Sequence, residues 1–488
     1  MAHSALPTVH PGSASVLSPY SISTNIVGNE EERRSFHFFR CRTVSEITGY
    51  FPSTFWTDLV LQASHFEPAI FHALIALSSV HKDYELNHRE YSGVIDYDLQ
   101  QRHALQQSNK AIGYLRSHLS MAERQSKEVV LIVCLLFICL ETFQGNHEAA
   151  IAHLDSGMKI LNSWLRQDRN LASGVVQASP LNHQVIEEYI IPVFAHLDIQ
   201  ASTYLSTRPV HYDLITKEVD SIDSNVSPPL PKVFTSVNEA HDSLNNQMHW
   251  TLHYQQRAMK YFIAATHSNA KLADGVMDMF LEAYREQWHQ AHRWLPVFNQ
   301  FLNKSSSKLN AKELRAALML KLHHAISIVL LAATLFDYET EFDDYVAEFE
   351  KVTSLADSLV KLLSGNSQPS RTPAYSFDSG IVPPLYFTAC RCRHPMVRRK
   401  ALNILEAAPR REGIWDSEVS AAIGRWYVRT EEEGLENICG PQDVPDSVRV
   451  HVLDKVLNFG QRRCLIKYRR GIPSAVGKLG VHEEWISW

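Results

Sequence analysis

The chain has 488 residues, of which 45% are apolar and 20% charged, with a net charge of -6 and a sequence pI near 6.5. That composition belongs to a folded globular chain with room for about three average domains. The slight acidity excludes nucleic-acid binding driven by overall charge. The seven cysteines are scattered and odd in number. They suit a reducing compartment, cytosol or nucleus, rather than a disulfide framework.

Residues 1–34 are rich in Ser and Pro and too poor in large apolar side chains to offset chain entropy, so no fixed structure is expected there. They also lack the charged start and apolar run of a secretory signal. A single helical domain is expected over 35–488, beginning with Phe36, Phe38 and Phe39. Pro68 suits the first turn of a helix, where its missing N–H costs nothing. Ile70, Leu74 and Leu77 then form a buried stripe, with Ala73 and Ala76 small enough for close approach. A further helix is expected over Asp98–Leu119, with Leu105, Ile112, Leu115 and Leu119 along one side.

The most telling stretch is Lys127–Leu165. Twelve unbroken apolar residues, Val129–Leu140, lie between Glu128 and Glu141. Gly145-Asn146 marks a break, after which Ile151, Leu154, Met158, Leu161 and Leu165 recur on one helical face. The pattern predicts an αα-hairpin with a fully buried first helix. Its apolar run falls short of the roughly 20 residues a bilayer requires, and no other stretch is expected to span one.

Ser163–Ser179 reads as a polar connection, and Glu187–Tyr204 as an apolar helix with Pro192 near its start. Val226–Val233 is too proline-rich to be regular. Helices are expected over Val237–Thr266, Asp274–Phe301, Glu313–Phe336 and Phe342–Leu363, followed by a loop over Ser364–Ser379. Pro383-Pro384 and Pro395 open two helices within Ile381–Leu405. Another covers Glu412–Glu433, with Asp416 as its N-cap. Only the tail, 440–488, changes period. Val448, Val450 and Val452 alternate, as do Cys464, Ile466 and Tyr468, with Asn458-Phe459-Gly460 between them, which predicts a β-hairpin. The fold class is all-α.

No catalytic signature is present: no G-x-S-x-G, phosphate loop, G-x-G-x-x-G or H-E-x-x-H. His147 and His153, with Glu148, imitate the last, but a separation of six residues places the imidazoles apart on a helix. They read as surface or cap residues. His289 and His292, with Glu286, offer at most one edge of a metal site and read as polar positions beside Trp288 and Trp294. His323-His324 point in different directions. Cys390 and Cys392 form C-x-C without the second pair that zinc needs. Arg391, Arg393, Arg398, Arg399, Lys400, Arg410 and Arg411 make the densest positive region. They read as a solvated face compensated by Glu406, Glu412 and Glu431–Glu433. No residue is assigned a catalytic, cofactor-binding or metal-binding role, and no cofactor is expected.

Four segments carry a family resemblance, in order along the chain. They are FWTDLVLQASHFEPAIFHALIALSSVHKDY, LLFICLETFQGNHEAAIAHLDSGMKIL, FTSVNEAHDSL and FDSGIVPPLYFTACRCRHPMVRRKALNILEAAPRREGIWDS, and EEWISW closes the chain. Together they resemble the regulatory domain of fungal zinc-cluster transcription factors over about Ser35–Trp488. The resemblance implies a helical regulatory domain, action in the nucleus or in nucleus and cytoplasm, and control of a metabolic or secondary-metabolite gene cluster. Members of that family usually carry an N-terminal module whose six cysteines, beginning C-x2-C-x6-C, hold two zinc ions. Here Met1–Arg34 has no cysteine and Cys41 is the only one before Cys134. Zinc-dependent DNA binding is therefore not expected of this chain. The expected partners are proteins, zinc-cluster factors or co-regulators, in a homo- or heterodimer, with no membrane. Two alternatives stay open: a helical scaffold with no role in transcription, and an ordinary activator whose first exon is missing from the gene model.

Overall fold

A computed structural model describes residues 28–488 except 52, 89–96, 121–125, 173–183, 206–207, 209, 212–228, 269–275, 337, 365–373, 459 and 472–479. Helix α1 (Glu30–Phe38) runs through a π-helical turn, Phe39–Thr43, into α2 (Val44–Ile47). A reciprocal cap fixes its start: Asn29 Oδ1 accepts from the Glu32 N–H at 2.9 Å, and Glu32 accepts from the Asn29 N–H at 3.0 Å. The helix thus begins inside the 1–34 segment expected to lack structure. Residues 1–27 lie outside the described residues.

A second π-turn, Phe55–Leu59, leads into α3 (Val60–Ser64), then α4 (Pro68–His88) and α5 (Tyr97–Ser120). Pro68 opens α4 as expected, and Ile70, Ala73, Leu74, Ala76 and Leu77 are buried. Of the expected apolar stripe on α5, Leu115 packs half-buried against the core and the rest does not face it. His103, Ala104, Gln107, Ser108 and Ala111 pack inward, whereas Leu105 is 63% exposed and Ile112 and Leu119 also lie at the surface. The reason is a buried polar network. Gln107 donates to Glu32 at 3.0 Å and meets His72 Nδ1 at 2.6 Å, and Lys110 reaches Glu32 at 2.9 Å. Burial raises the Glu32 carboxyl, but Lys110, Gln107 and Asn29 outweigh it and hold it at about 2.

The hairpin is α6 (Lys127–Gln144) and α7 (His147–Ala172). Gly145 adopts φ +75°, and the N–H groups of Gly145 and Asn146 return to the carbonyls of Thr142 and Glu141. Leu131, Ile132, Leu135, Leu136 and Cys139 have no solvent exposure, nor do Met158 and Leu161 across from them. Helix α7 continues through Ala172, past the Ser163 at which a connection is expected. With α3, α4 and α8 (Ile191–Tyr204), the hairpin forms the larger core.

Helices α9 (Val237–Ser268), α10 (Val276–Ser305), α11 (Ala311–Ala332) and α12 (Val346–Ser364) form the second half, with α13 (Val382–Arg391) and α14 (Pro395–Ala407) against α12. The stretch Ala311–Leu335 is long and apolar enough to cross a bilayer, contrary to expectation. Most of it is instead buried against α9, α10, α12 and α13. Helix α15 (Ser417–Glu432) starts at Asp416, whose carboxylate accepts from the Glu418 and Val419 N–H groups.

Two small sheets complete the fold. Strand β1 (Ala374–Ser376) pairs parallel to β2 (Arg410–Glu412), which pairs antiparallel to β3 (Trp415–Asp416). This occupies residues expected as loop and helix start. Strands β4 (Val450–Asn458), β5 (Arg463–Arg470) and β6 (His482–Ser487) form an antiparallel meander. The first two are the expected hairpin. The third pairs in register from Tyr468–His482 to Arg463–Ser487.

Candidate functional site

A cleft of about 550 Å³ opens between the segment after α2, the start of α8 and the start of α9. Local sequence accounts for each wall. Gly49, at φ +52°, turns the chain out of α2. Phe51 then lies face-on to the His241 ring at 3.7 Å. Phe55 and Trp56 meet edge to face at 4.7 Å, and Trp56 meets Phe377 at 5.4 Å. Pro192 has no N–H to return to Glu188, and the chain enters α8 through a π-turn, Ile186–Ile190. That turn sets Tyr189, Ile191 and Val193 along the cleft.

Helix α9 supplies the polar wall. Its cap is Ser236, whose Oγ accepts from the Glu239 N–H at 3.0 Å. Asn238, His241, Asp242, Asn245, Asn246 and His249 then follow at steps of three and one, a single stripe along the helix that lines the cleft. Val237, Ala240 and Leu244 fall on the other side and are buried. Asp378 and His196 close the floor, with His196 Nε2 3.6 Å from Asp378 Oδ1.

The hydrogen bonds fix the imidazole tautomers. The Ser379 N–H donates to His196 Nε2 at 3.2 Å, so a neutral His196 carries its proton on Nδ1, a buried atom with no hydrogen-bond partner. The Asn245 amide donates to His241 Nε2 at 3.0 Å, and the neighbouring His323 Nε2–H donates to the Gly380 carbonyl at 2.8 Å. Burial pushes His196 and His249 down to about 4 and His241 well below its ordinary range, so the rings are neutral at pH 7. Burial pushes the Asp378 carboxyl up to about 7, against the pull of Lys312. The cleft is equipped for binding, with aromatic surface, amides and neutral imidazoles.

Metal-ligand geometry is found elsewhere. Among the described residues, Glu46, His81 and Glu85 bring their donor atoms within 4.8 Å of one another. Arg42 already occupies that charge, at 2.7 Å from Glu85 and 3.8 Å from Glu46.

The residues singled out in the sequence do not converge on the cleft, except that His323 neighbours it. His147 is not a surface residue: it is 1% exposed at the start of α7, and burial pushes it down to about 4. His153 is half-buried against Phe137, at 5.5 Å. His289, His292 and Glu286 are exposed on α10. His323 and His324 diverge, the latter bonded to the Ala291 carbonyl at 2.8 Å. Burial pushes the Cys390 and Cys392 thiols up to about 11.

The basic region is a solvated face only in part, at Arg399 and Lys400. Arg393 and Arg398 are fully buried, and both bond Glu431, at 2.7 and 3.0 Å. Arg393 also reaches Glu339 at 2.8 Å, and Arg391 pairs with the same carboxylate. Arg399 pairs with Glu432, and Arg411 with Asp416. Glu412 instead accepts from the N–H groups of Gly380, Ile381 and Val382 at the start of α13. This is internal scaffolding. The cleft, by contrast, left a legible trace that sequence reading passed over: the polar stripe from Asn238 to His249 within a predicted helix.

The fungal-specific transcription factor domain matches residues 35–413, a range that includes the whole cleft. The chain is 22% identical over 487 residues to the aspercryptin biosynthesis cluster-specific transcription regulator atnN of Emericella nidulans, covering 83% of this chain and 74% of that protein. It is 27% identical over 144 residues to the transcription regulator lscL of Purpureocillium lilacinum, covering 28% of this chain and 33% of that protein. No solved structure matches. With well over half its length matched, the chain belongs to the fungal-specific transcription factor domain family.

Proposed function

We propose that this chain regulates transcription in the nucleus through protein partners, and that its targets form a gene cluster for a secondary metabolite. The family match over residues 35–413 carries the reading. The biosynthesis-cluster regulator, aligned over 83% of this chain, supports the target class. Within these 488 residues the cysteines do not supply a DNA reader. Those at 41, 134, 139, 390, 392, 439 and 464 do not follow the C-x2-C-x6-C spacing of a zinc-held DNA reader, and the adjacent Cys390 and Cys392 lie buried with neutral thiols. The buried arginines argue the same way, because Arg393 and Arg398 are bonded to carboxylates and cannot reach phosphates.

Chromatin immunoprecipitation of the tagged chain, with and without a zinc-cluster partner, tests this. Occupancy at cluster promoters is expected in the presence of the partner and is expected to vanish without it. Occupancy that survives loss of every such partner overturns the partner-dependent route. Unchanged transcripts after deletion of the gene, under conditions that induce the cluster, overturn the regulatory role.

A further inference from the structure

The cleft between the Phe51–Trp56 segment, α8 and α9 carries formal charge of one sign. Its lining holds three carboxyl groups, Glu188, Asp242 and Asp378, and neither lysine nor arginine. Lys312 acts on Asp378 from outside the lining. Burial raises Asp242 to about 6 and Asp378 to about 7, so at pH 8, above both, a carboxylate entering this space meets like charge and neutral imidazoles. An ammonium meets carboxylates in a partly dehydrated setting, where opposite charges attract more strongly than in water. The aromatic walls point the same way, because ring faces attract cations and their area accommodates an apolar body.

His196 adds direction. Its Nε2 is taken by the Ser379 N–H, which leaves Nδ1–H as a buried donor without a partner on the cleft floor. Because Nδ1 carries almost no accessible surface, a ligand's oxygen acceptor reaches it through a turn of the imidazole ring toward the cleft. The volume of about 550 Å³ falls in the range of cavities that enclose a small organic molecule.

We propose that this cleft binds a small organic amine in its protonated form, one with an apolar body and an oxygen acceptor, and that it rejects carboxylates of the same shape. This goes beyond partner-mediated regulation and does not depend on it, since the test uses the purified 488-residue chain without promoter or partner.

Isothermal calorimetry at pH 8 with four probes of one shape separates the charge classes: 5-hydroxytryptamine, tryptamine, 3-ethylindole and indole-3-propionate. Tryptamine is expected to bind about tenfold more tightly than 3-ethylindole. The hydroxylated amine should bind more tightly still, and the propionate should give no saturable heat. Asp378→Asn keeps the side-chain size and removes one charge, and should narrow the tryptamine preference; with Asp242→Asn added, tryptamine should fall to the affinity of 3-ethylindole. Val193→Trp, which fills the cleft, should abolish binding of both amines. Far-UV circular dichroism and the melting temperature verify that each variant folds, and Asp242→Asn provides a second charge variant. The proposal is overturned if the propionate binds as tightly as tryptamine, or if no probe binds. It is equally overturned if the tryptamine preference survives both Asp→Asn changes, or if a folded Val193→Trp variant binds as before.

Discussion

Glu431 sits at the end of α15 with no solvent exposure, accepting from Arg393, from Arg398 and from the Val450 N–H at 2.9 Å. Burial raises its carboxyl, but the two guanidinium groups outweigh that and hold it below the ordinary range. Removing the charge leaves two buried cations short of a partner, so Glu431→Gln should lower stability by about 3–5 kcal/mol. Arg399→Ala breaks a half-exposed pair with Glu432 and should cost no more than about 1 kcal/mol. Urea unfolding monitored by fluorescence compares the two; equal costs would show that the network is solvated. The sequence displayed these charges without their depth, and so the arginines read as a surface face. The apolar company of Arg393 and Arg398, from Cys390 and Cys392 to Val397, Ala401 and Leu402, was the signal of burial. His147 hid in the same way. Its folded pKa, about 4, lies below the ordinary 6.5, so the unfolded chain takes up the proton first as pH falls. Its contribution is therefore intact above 6.5 and is lost as pH falls through about 4, roughly 3 kcal/mol in all. In His147→Gln, the slope of unfolding free energy against pH between 6 and 4.5 should be shallower by about one proton. An unaltered slope would mean that His147 is already charged in the folded chain.

The helices were legible because a helical period of 3.6 survives in the pattern of apolar side chains, as in Leu154, Met158 and Leu161 on α7. Their partners were not. The side of α5 that packs inward is decided by Glu32, 75 residues before Gln107, and by the Gln107 amide that bonds it. Strands β1, β2 and β3 are two or three residues long, too short for an alternation to register. Close approach between helices was equally hidden. Gly157 on α7 lies where a Cβ would stand 2.4 Å from the Phe194 ring of α8. Gly157→Ala should force that ring aside and cost about 1–3 kcal/mol. Gly113 on α5 has open space around it, so Gly113→Ala should be neutral or stabilise by up to about 1 kcal/mol through helix propensity alone. The melting temperature should fall for Gly157→Ala and hold or rise for Gly113→Ala. A Gly157→Ala chain that melts with the parent would show that α7 and α8 are further apart.

At the scale of the whole molecule, the family match ends at residue 413 while the packing does not. Trp426 and Tyr427 of α15 share a core with Val450, Cys464, Ile466 and Ile486 of the terminal sheet. Arg449, almost wholly buried, spans from the sheet to the turn before α12, with bonds to Asp343 at 2.6 and 2.9 Å and to the Glu339 carbonyl at 2.8 Å. Glu339 in turn pairs with Arg391 and Arg393. Burial raises its carboxyl, but the two arginines outweigh that and bring it to about 2. A continuous polar chain thus links the helices to β4, the first strand of the terminal sheet, through Glu339, Arg393, Glu431 and the Val450 N–H. The tail packs against the helices through this network and through the core around Trp426 and Tyr427. A chain ending at Gly440 would uncover Trp426 and Tyr427 and leave Asp343 without Arg449. The combined loss should exceed about 5 kcal/mol, enough to unfold a domain of ordinary stability. Differential scanning calorimetry should then show one cooperative transition for the 488-residue chain and a much lower or absent one for the shortened chain. Two separate transitions in the intact chain, with the larger unaffected by truncation, would show instead that the sheet folds apart from the helices.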